Sequence, residues 1–166
     1  MKGKQTALMP GNEDKVGYWL TPPDLMAQLQ AEFDFNFDAC PYPRPVGFDG
    51  LKEPWGKRTW VNPPFRGSAS RWARKTVEEN VRGNLVVMIP PIFRAEATLL
   101  RAGAEVRYVG PVEWRDPAGI PSPTKDPAHQ ALFILRPKSV HPKSDEQPPR
   151  QEARSAPSDE GGDEQT

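Results

Sequence analysis

An α/β domain with a mainly parallel sheet is the fold class this sequence predicts, on three observations. Apolar runs of strand length alternate with stretches of helical periodicity between about Tyr18 and Pro137. The run Asn84-Leu85-Val86-Val87-Met88-Ile89 is continuously apolar after its first residue, the mark of a strand covered on both faces. No internal repeat is visible, which removes solenoids and propellers.

In chain order, Thr21-Pro22-Pro23-Asp24 can cap a helix with proline in its first turn, and Leu25, Met26, Leu29 and Phe33 follow at helical spacing. Phe35-Asn36-Phe37-Asp38 alternates apolar and polar residues and stops at Pro41-Tyr42-Pro43-Arg44-Pro45, which predicts a short strand ending in a loop. Another strand, Arg58-Thr59-Trp60-Val61, runs into Asn62-Pro63-Pro64-Phe65. The spacing predicts a helix over Ser68 to Val81, with Ala69, Trp72, Ala73, Thr76 and Val77 on one side. Beyond the apolar strand and its Pro90-Pro91 stop, a helix is expected from Arg94 to Ala102 with Gly103 as its C-cap. Strands over Glu105 to Val109 and Gln130 to Leu135 complete the pattern, and Pro111 to Pro127 between them reads as a flexible loop, a lid or recognition element. Ligands of such sheets sit outside the carboxyl ends of the strands, which directs attention to Asp38-Ala39-Cys40-Pro41 and to Asn62-Pro63-Pro64-Phe65.

The ends differ from this body in composition. Residues 1–10 read as a flexible arm, 11–137 as the folded domain, and 138–166, rich in Pro, Ser, Glu, Asp and Gln, as a disordered acidic tail that cannot bury enough apolar surface to offset the entropy of ordering. The chain of 166 residues is formally neutral, but the tail carries minus three and the body therefore plus three. A mildly basic body permits a nucleic-acid partner without demanding one. One cysteine, Cys40, and two histidines, His129 and His141, exclude a disulfide scaffold and a zinc site. No apolar stretch approaches the roughly 18 residues of a membrane span and no secretory leader is apparent, so a soluble cytoplasmic protein is expected.

The loop after Val61 carries the chemistry. Two prolines fix the backbone and remove its N–H groups, leaving a stiff arch of carbonyl acceptors. Asn62 adds a side-chain carbonyl and Phe65 an aromatic face, a combination suited to a planar ring bearing an amino group. The exocyclic amine of adenine is a poor nucleophile because its lone pair is delocalised into the ring. Acceptors at Asn62 and the Pro63 carbonyl can draw its hydrogens out of the ring plane and free that pair for an in-line methyl donor, with catalysis by positioning and electrostatics. The dipeptide Pro-Pro alone is ordinary in a chain with 21 prolines. Asn-Pro-Pro-aromatic at a strand end is less so, and it indicates amine methylation better than it indicates adenine.

The order of motifs resembles the phage-type DNA N-6-adenine-methyltransferase family. Trp19-Leu20-Thr21-Pro22, Phe37-Asp38-Ala39-Cys40, Asp49-Gly50-Leu51 followed by Trp55, and Trp60-Val61-Asn62-Pro63-Pro64-Phe65 carry the likeness, which continues through Ile89-Pro90 to Phe133. It implies a reduced Rossmann-like domain that uses S-adenosylmethionine to methylate the N6 amine of adenine in DNA, in a bacterial host cytoplasm. By that resemblance Asn62, Pro63, Pro64 and Phe65 form the catalytic loop. Trp19, Thr21 and Pro22 hold the methionine end of the cofactor, Asp38 meets the cofactor at the tip of the first strand, and Asp49 is a weaker candidate for its ribose. The segment Asp38-Ala39-Cys40-Pro41 has no G-x-G, a departure from larger methyltransferases.

Other readings stand beside these. Asp38 can equally be a strand-terminal Asx turn and Asp49 a loop residue ahead of Gly50. Cys40 reads as a small buried hydrophobe with no catalytic role. Arg71, Arg74 and Lys75, spaced i, i+3 and i+4, with Arg66 upstream, form either a solvated helix face or a set of DNA phosphate contacts. Trp72 is read as core, and Trp114 as loop packing or an exposed stacking platform. Methylation of the cytosine amine and a nonenzymatic DNA-binding module are the competing functions.

Overall fold

The structure, a computed structural model, describes residues 19–64, 69–90, 95–122 and 129–138. The arm, all of the tail beyond Lys138, and the site candidates Phe65 and Arg66 lie outside the described residues. Helix α1 (Pro23–Phe33) precedes the short strand β1 (Phe37–Asp38). Then come β2 (Arg58–Val61), α2 (Ala69–Val81), β3 (Leu85–Met88), α3 (Glu96–Arg101), β4 (Glu105–Pro111) and β5 (His129–Leu135). One sheet of order β1-β2-β3-β5-β4 results.

The fold is α/β, but the sheet is mixed where a mainly parallel one is expected. β1, β2 and β3 pair in parallel, with Trp60 beside Val87 and Asp38 beside Trp60. β5 is antiparallel to both β3 and β4, so β4 runs in the same direction as the first three strands. Apolar content alone does not give strand direction, and β5, flanked on both sides, is as apolar as a parallel strand: Leu132, Phe133, Ile134 and Leu135 are all buried.

The two-residue period of the strands sorts the core into two layers. Val61, Val86, Met88, Phe133 and Leu135 meet Ala69 and Ala73 of α2 and Leu99 of α3 on one face. Trp60, Val87, Ile89, Leu132 and Ile134 meet Leu29 and Phe33 of α1 on the other. Helices on both faces explain why β3 lacks alternation. β1 is two residues long where four are expected; ahead of it the Asn36 N–H bonds to the Arg58 carbonyl at 2.9 Å, and the Asn36 Oδ1 accepts the Arg58 N–H at 3.0 Å.

Helix ends follow local chemistry. Within the expected Thr21-Pro22-Pro23-Asp24 start, Pro22 is the N-cap of α1 and Pro23 its first position, with no side-chain cap. At the far end Asp34 takes the left-handed conformation with φ of 48°, and its N–H bonds to the Gln30 carbonyl. Ala102, not Gly103, is the C-cap of α3, and Gly103 follows it in the left-handed conformation with φ of +88°. A buried polar knot ends α2: Glu79 receives Lys75 at 2.7 Å, Arg82 at 2.6 Å and Asn84 at 3.0 Å. Asn80 beside it donates to the carbonyls of Asn84 and Leu135, tying α2 to β3 and β5.

Candidate active site

Strand β2 ends where the sequence places its stop. The Ile89 N–H still reaches the Val61 carbonyl at 3.0 Å, and Asn62 then leaves the ladder ahead of Pro63 and Pro64, which have no N–H to continue it. Because Asn62 is two residues beyond Trp60, its side chain falls on the α1 side of the sheet. There the segment Trp19–Thr21 crosses above it. The Asn62 Nδ2 donates to the Trp19 carbonyl at 2.7 Å and lies 3.2 Å from the Thr21 Oγ1.

A carbonyl can only accept, so the Trp19 contact fixes the amide: the nitrogen faces Trp19 and the oxygen faces away. That oxygen, Asn62 Oδ1, is buried and has no hydrogen-bond partner. The residue also lines a pocket of about 230 Å³, with Trp19, Leu20, Thr21, Asp38 and Trp60 around it and Met26, Cys40 and Tyr42 completing the wall. Buried acceptors are nearly always satisfied in folded proteins, so this oxygen stands out beside the pocket.

The segment that holds Asn62 is itself braced. Leu20 N–H donates to the Arg115 carbonyl at 2.8 Å, a backbone bridge to the stretch after β4. That stretch is built around Asp116, whose Oδ1 accepts the N–H groups of Ala118 at 2.9 Å and Ile120 at 2.8 Å. Val112 and Trp114 are buried in the α1-side core. Over residues 111–122 the expected flexible lid is therefore a hydrogen-bonded brace, and Trp114 is packing rather than an exposed platform.

Asp38 lies at the carboxyl end of β1, where it forms the expected Asx turn and also borders the pocket. Its Oδ1 accepts the Cys40 N–H at 2.9 Å, an Asx turn, while the residue lines the pocket. Asp38 keeps solvent access, yet the protein atoms around it raise its carboxyl above the ordinary value, and the Cys40 N–H offsets this only in part. Burial, reinforced by the Asp38 charge, pushes the Cys40 thiol well above its usual range. A protonated thiol is a poor nucleophile, in keeping with the absence of a catalytic assignment.

Of the cofactor candidates, Trp19, Thr21 and Asp38 come together here, and Pro22 follows Thr21 directly as the cap of α1. Asp49 does not line this pocket. Its carboxylate accepts the Leu51 N–H at 3.1 Å and pairs with Lys52 at 3.2 Å, and these partners hold it below the ordinary value. The motif around it is a wedge: a Cβ on Gly50 would lie 1.9 Å from the Ala39 carbonyl oxygen, and the Gly50 carbonyl accepts the Trp55 indole N–H at 2.7 Å. Trp55 stacks on Trp72, half-buried against the α2 core as expected.

The basic set of α2 separates. Arg71 and Arg74 are exposed and, with Leu51 and Glu78, line a shallow groove of about 190 Å³. Lys75, though it borders the groove, is 11% exposed, is paired with Glu79 at 2.7 Å and sits 5.8 Å from the Trp55 ring centre. The i+4 spacing matches a carboxylate on its own helix, so Lys75 is committed to structure rather than available as a free phosphate contact.

Sequence reasoning missed Leu20, Met26, Tyr42 and Trp60 as pocket walls. Trp60 was within reach, since residues two apart on a strand share a face. The others arrive through tertiary packing, which local patterns do not encode. Among the described residues no group of His, Cys, Asp and Glu could hold a metal ion. Comparison of the chain with protein-family models, with curated proteins and with solved structures finds no match to any of them.

Proposed function

We propose that this chain transfers a methyl group from S-adenosylmethionine to the exocyclic N6 amine of adenine in DNA, using a reduced Rossmann-like domain. The observation that carries the reading is the buried, unpartnered Asn62 Oδ1 beside the pocket, turned away from Trp19 by the bonds of its own amide nitrogen to Trp19 and Thr21. An amino group on a flat ring satisfies such an acceptor. The neighbouring Asp38 carboxylate and the Trp19 and Trp60 walls suit a cationic, partly apolar ligand. At about 230 Å³ the pocket takes one end of such a cofactor, since whole drug-sized ligands occupy roughly 300–1,000 Å³.

When bound, S-adenosylmethionine would supply an electrophilic methyl group on a sulfonium, with a neutral thioether as the leaving group. The protein's part is positional. Asn62 Oδ1 and the Pro63 carbonyl would accept the two amine hydrogens and draw them out of the ring plane, which frees the nitrogen lone pair for attack. As the N–C bond forms, positive charge grows on that nitrogen, and the same acceptors stabilise it at no reorganisation cost. The surplus proton then passes to water. Phe65 stacks on the ring, which in duplex DNA must first leave the base stack at a cost of a few kcal/mol. Arg71 and Arg74 contact phosphates.

Incubation with labelled S-adenosylmethionine and unmethylated DNA, followed by nucleoside analysis, tests this. Labelled N6-methyladenine is expected, falling by about a hundredfold or more in Asn62→Ala, as for loss of one transition-state donor or acceptor. Label in N4-methylcytosine reassigns the substrate ring. No label in any base, together with no calorimetric heat on adding the cofactor, overturns the reading in favour of a nonenzymatic DNA-binding module.

A further inference from the structure

At the opposite end of the sheet, where β5 ends and β4 begins, lies a second pocket, of about 340 Å³. Its walls come from four elements: Asn80 of α2, Arg101 to Gly103 at the end of α3, Glu105 of β4, and Ile134 to Arg136 with Lys138 at and beyond the end of β5. Three cations converge on it against one carboxylate. Glu105 is already engaged, facing Arg107 and Arg136 at 3.4 Å each. Arg101 and Lys138 have no carboxylate within ion-pair distance among the described residues.

The rest of the lining leaves this charge uncompensated. Carbonyl groups at the end of α3 would oppose an anion, but those of Thr98, Leu99 and Leu100 are taken by the N–H groups of residues 102–104. The Asn80 amide nitrogen is spent on the Asn84 and Leu135 carbonyls, so contact with an anion falls to the cationic side chains. Ile134 and Leu135 make the floor buried and apolar, and a low-dielectric wall concentrates the field of the cations above it. We infer that this pocket binds a phosphate group, with Arg101 and Lys138 as its principal contacts and Arg136 as a third. The phosphate belongs either to a small free ligand or to a nucleic-acid backbone. The pocket shares no lining residue with the Asn62 pocket.

Titration of the full chain with inorganic phosphate, followed by amide NMR, reads this directly. Shifts are expected at residues 101–105 and 134–138, with affinity at least tenfold weaker in Arg101→Ala/Lys138→Ala. Both side chains are exposed, so the variant should keep its melting temperature. Equal shifts from chloride at matched ionic strength, or unchanged phosphate affinity in the variant, overturn the inference. Displacement of phosphate by a thymidine octamer assigns the site to a nucleic-acid backbone, and retained phosphate assigns it to a free ligand; both uphold a phosphate site. Asn62→Ala should bind phosphate as the unaltered chain does, so failure here is distinguishable from failure of the proposed methyl transfer.

Discussion

Asn62 uses the two ends of its amide unequally, and that inequality is testable without any substrate. Its nitrogen is spent on Trp19 and Thr21, which leaves the oxygen for a ligand. In Asn62→Asp a carboxylate oxygen would face the Trp19 carbonyl, acceptor against acceptor. The expected cost is about 1–3 kcal/mol of stability by urea unfolding, the usual penalty for an unmet buried polar group. Asp38 gives the opposite case. Its raised carboxyl binds a proton more readily folded than unfolded, so its favourable contribution is complete below the unfolded value and is lost as pH rises through the folded one. Asp38→Asn keeps an Oδ1 for the Cys40 N–H and removes the burial penalty of the charge. Its stability at neutral pH should equal or exceed that of the unaltered chain, while calorimetry should show weaker S-adenosylmethionine binding. A variant that binds the cofactor equally well would remove Asp38 from the site.

Elements were legible in the sequence to the extent that their burial is periodic. β2 and the apolar β3 match their expected runs closely, and α1 and α2 follow from the spacing of Leu29, Phe33, Ala69 and Ala73. α3 is shorter than expected, six residues ending at Arg101. The direction of β5 and the bracing of Trp19–Thr21 by Arg115 were not legible, because both depend on partners distant in sequence. The stop of β2 at Asn62-Pro63-Pro64 was readable from its own chemistry, whereas the pocket walls required the tertiary fold. Two connections carry predictions. Gly50→Ala places a methyl against the Ala39 backbone, which cannot swing aside, and should cost about 1–3 kcal/mol by overpacking. Glu79→Ala strips Lys75 of its anion inside the polar knot and should cost about 3 kcal/mol, with Glu79→Gln losing less. Thermal or urea unfolding of both checks the order.

On the scale of the whole molecule, charge is divided between two places. Arg71 and Arg74 stand on the outer side of α2, and the Arg101–Lys138 pocket opens at the other end of the sheet from Asn62. If the α2 arginines contact DNA phosphates, replacing both with alanine should lessen the slope of log affinity against log salt by roughly 0.9 per lost contact. An unchanged slope would sink that assignment.

The sheet order also sets a schedule for making the protein. Among the described residues β5 is the last strand in chain order, yet it is an interior strand and the one on which β4 hydrogen-bonds. Until residues 129–135 emerge from the ribosome, β4 has no neighbour and the apolar edge of β3 stays open. Folding must therefore wait for the end of the domain. A nascent chain stalled before His129 should be protease-sensitive throughout, and one released beyond Pro137 should be protected.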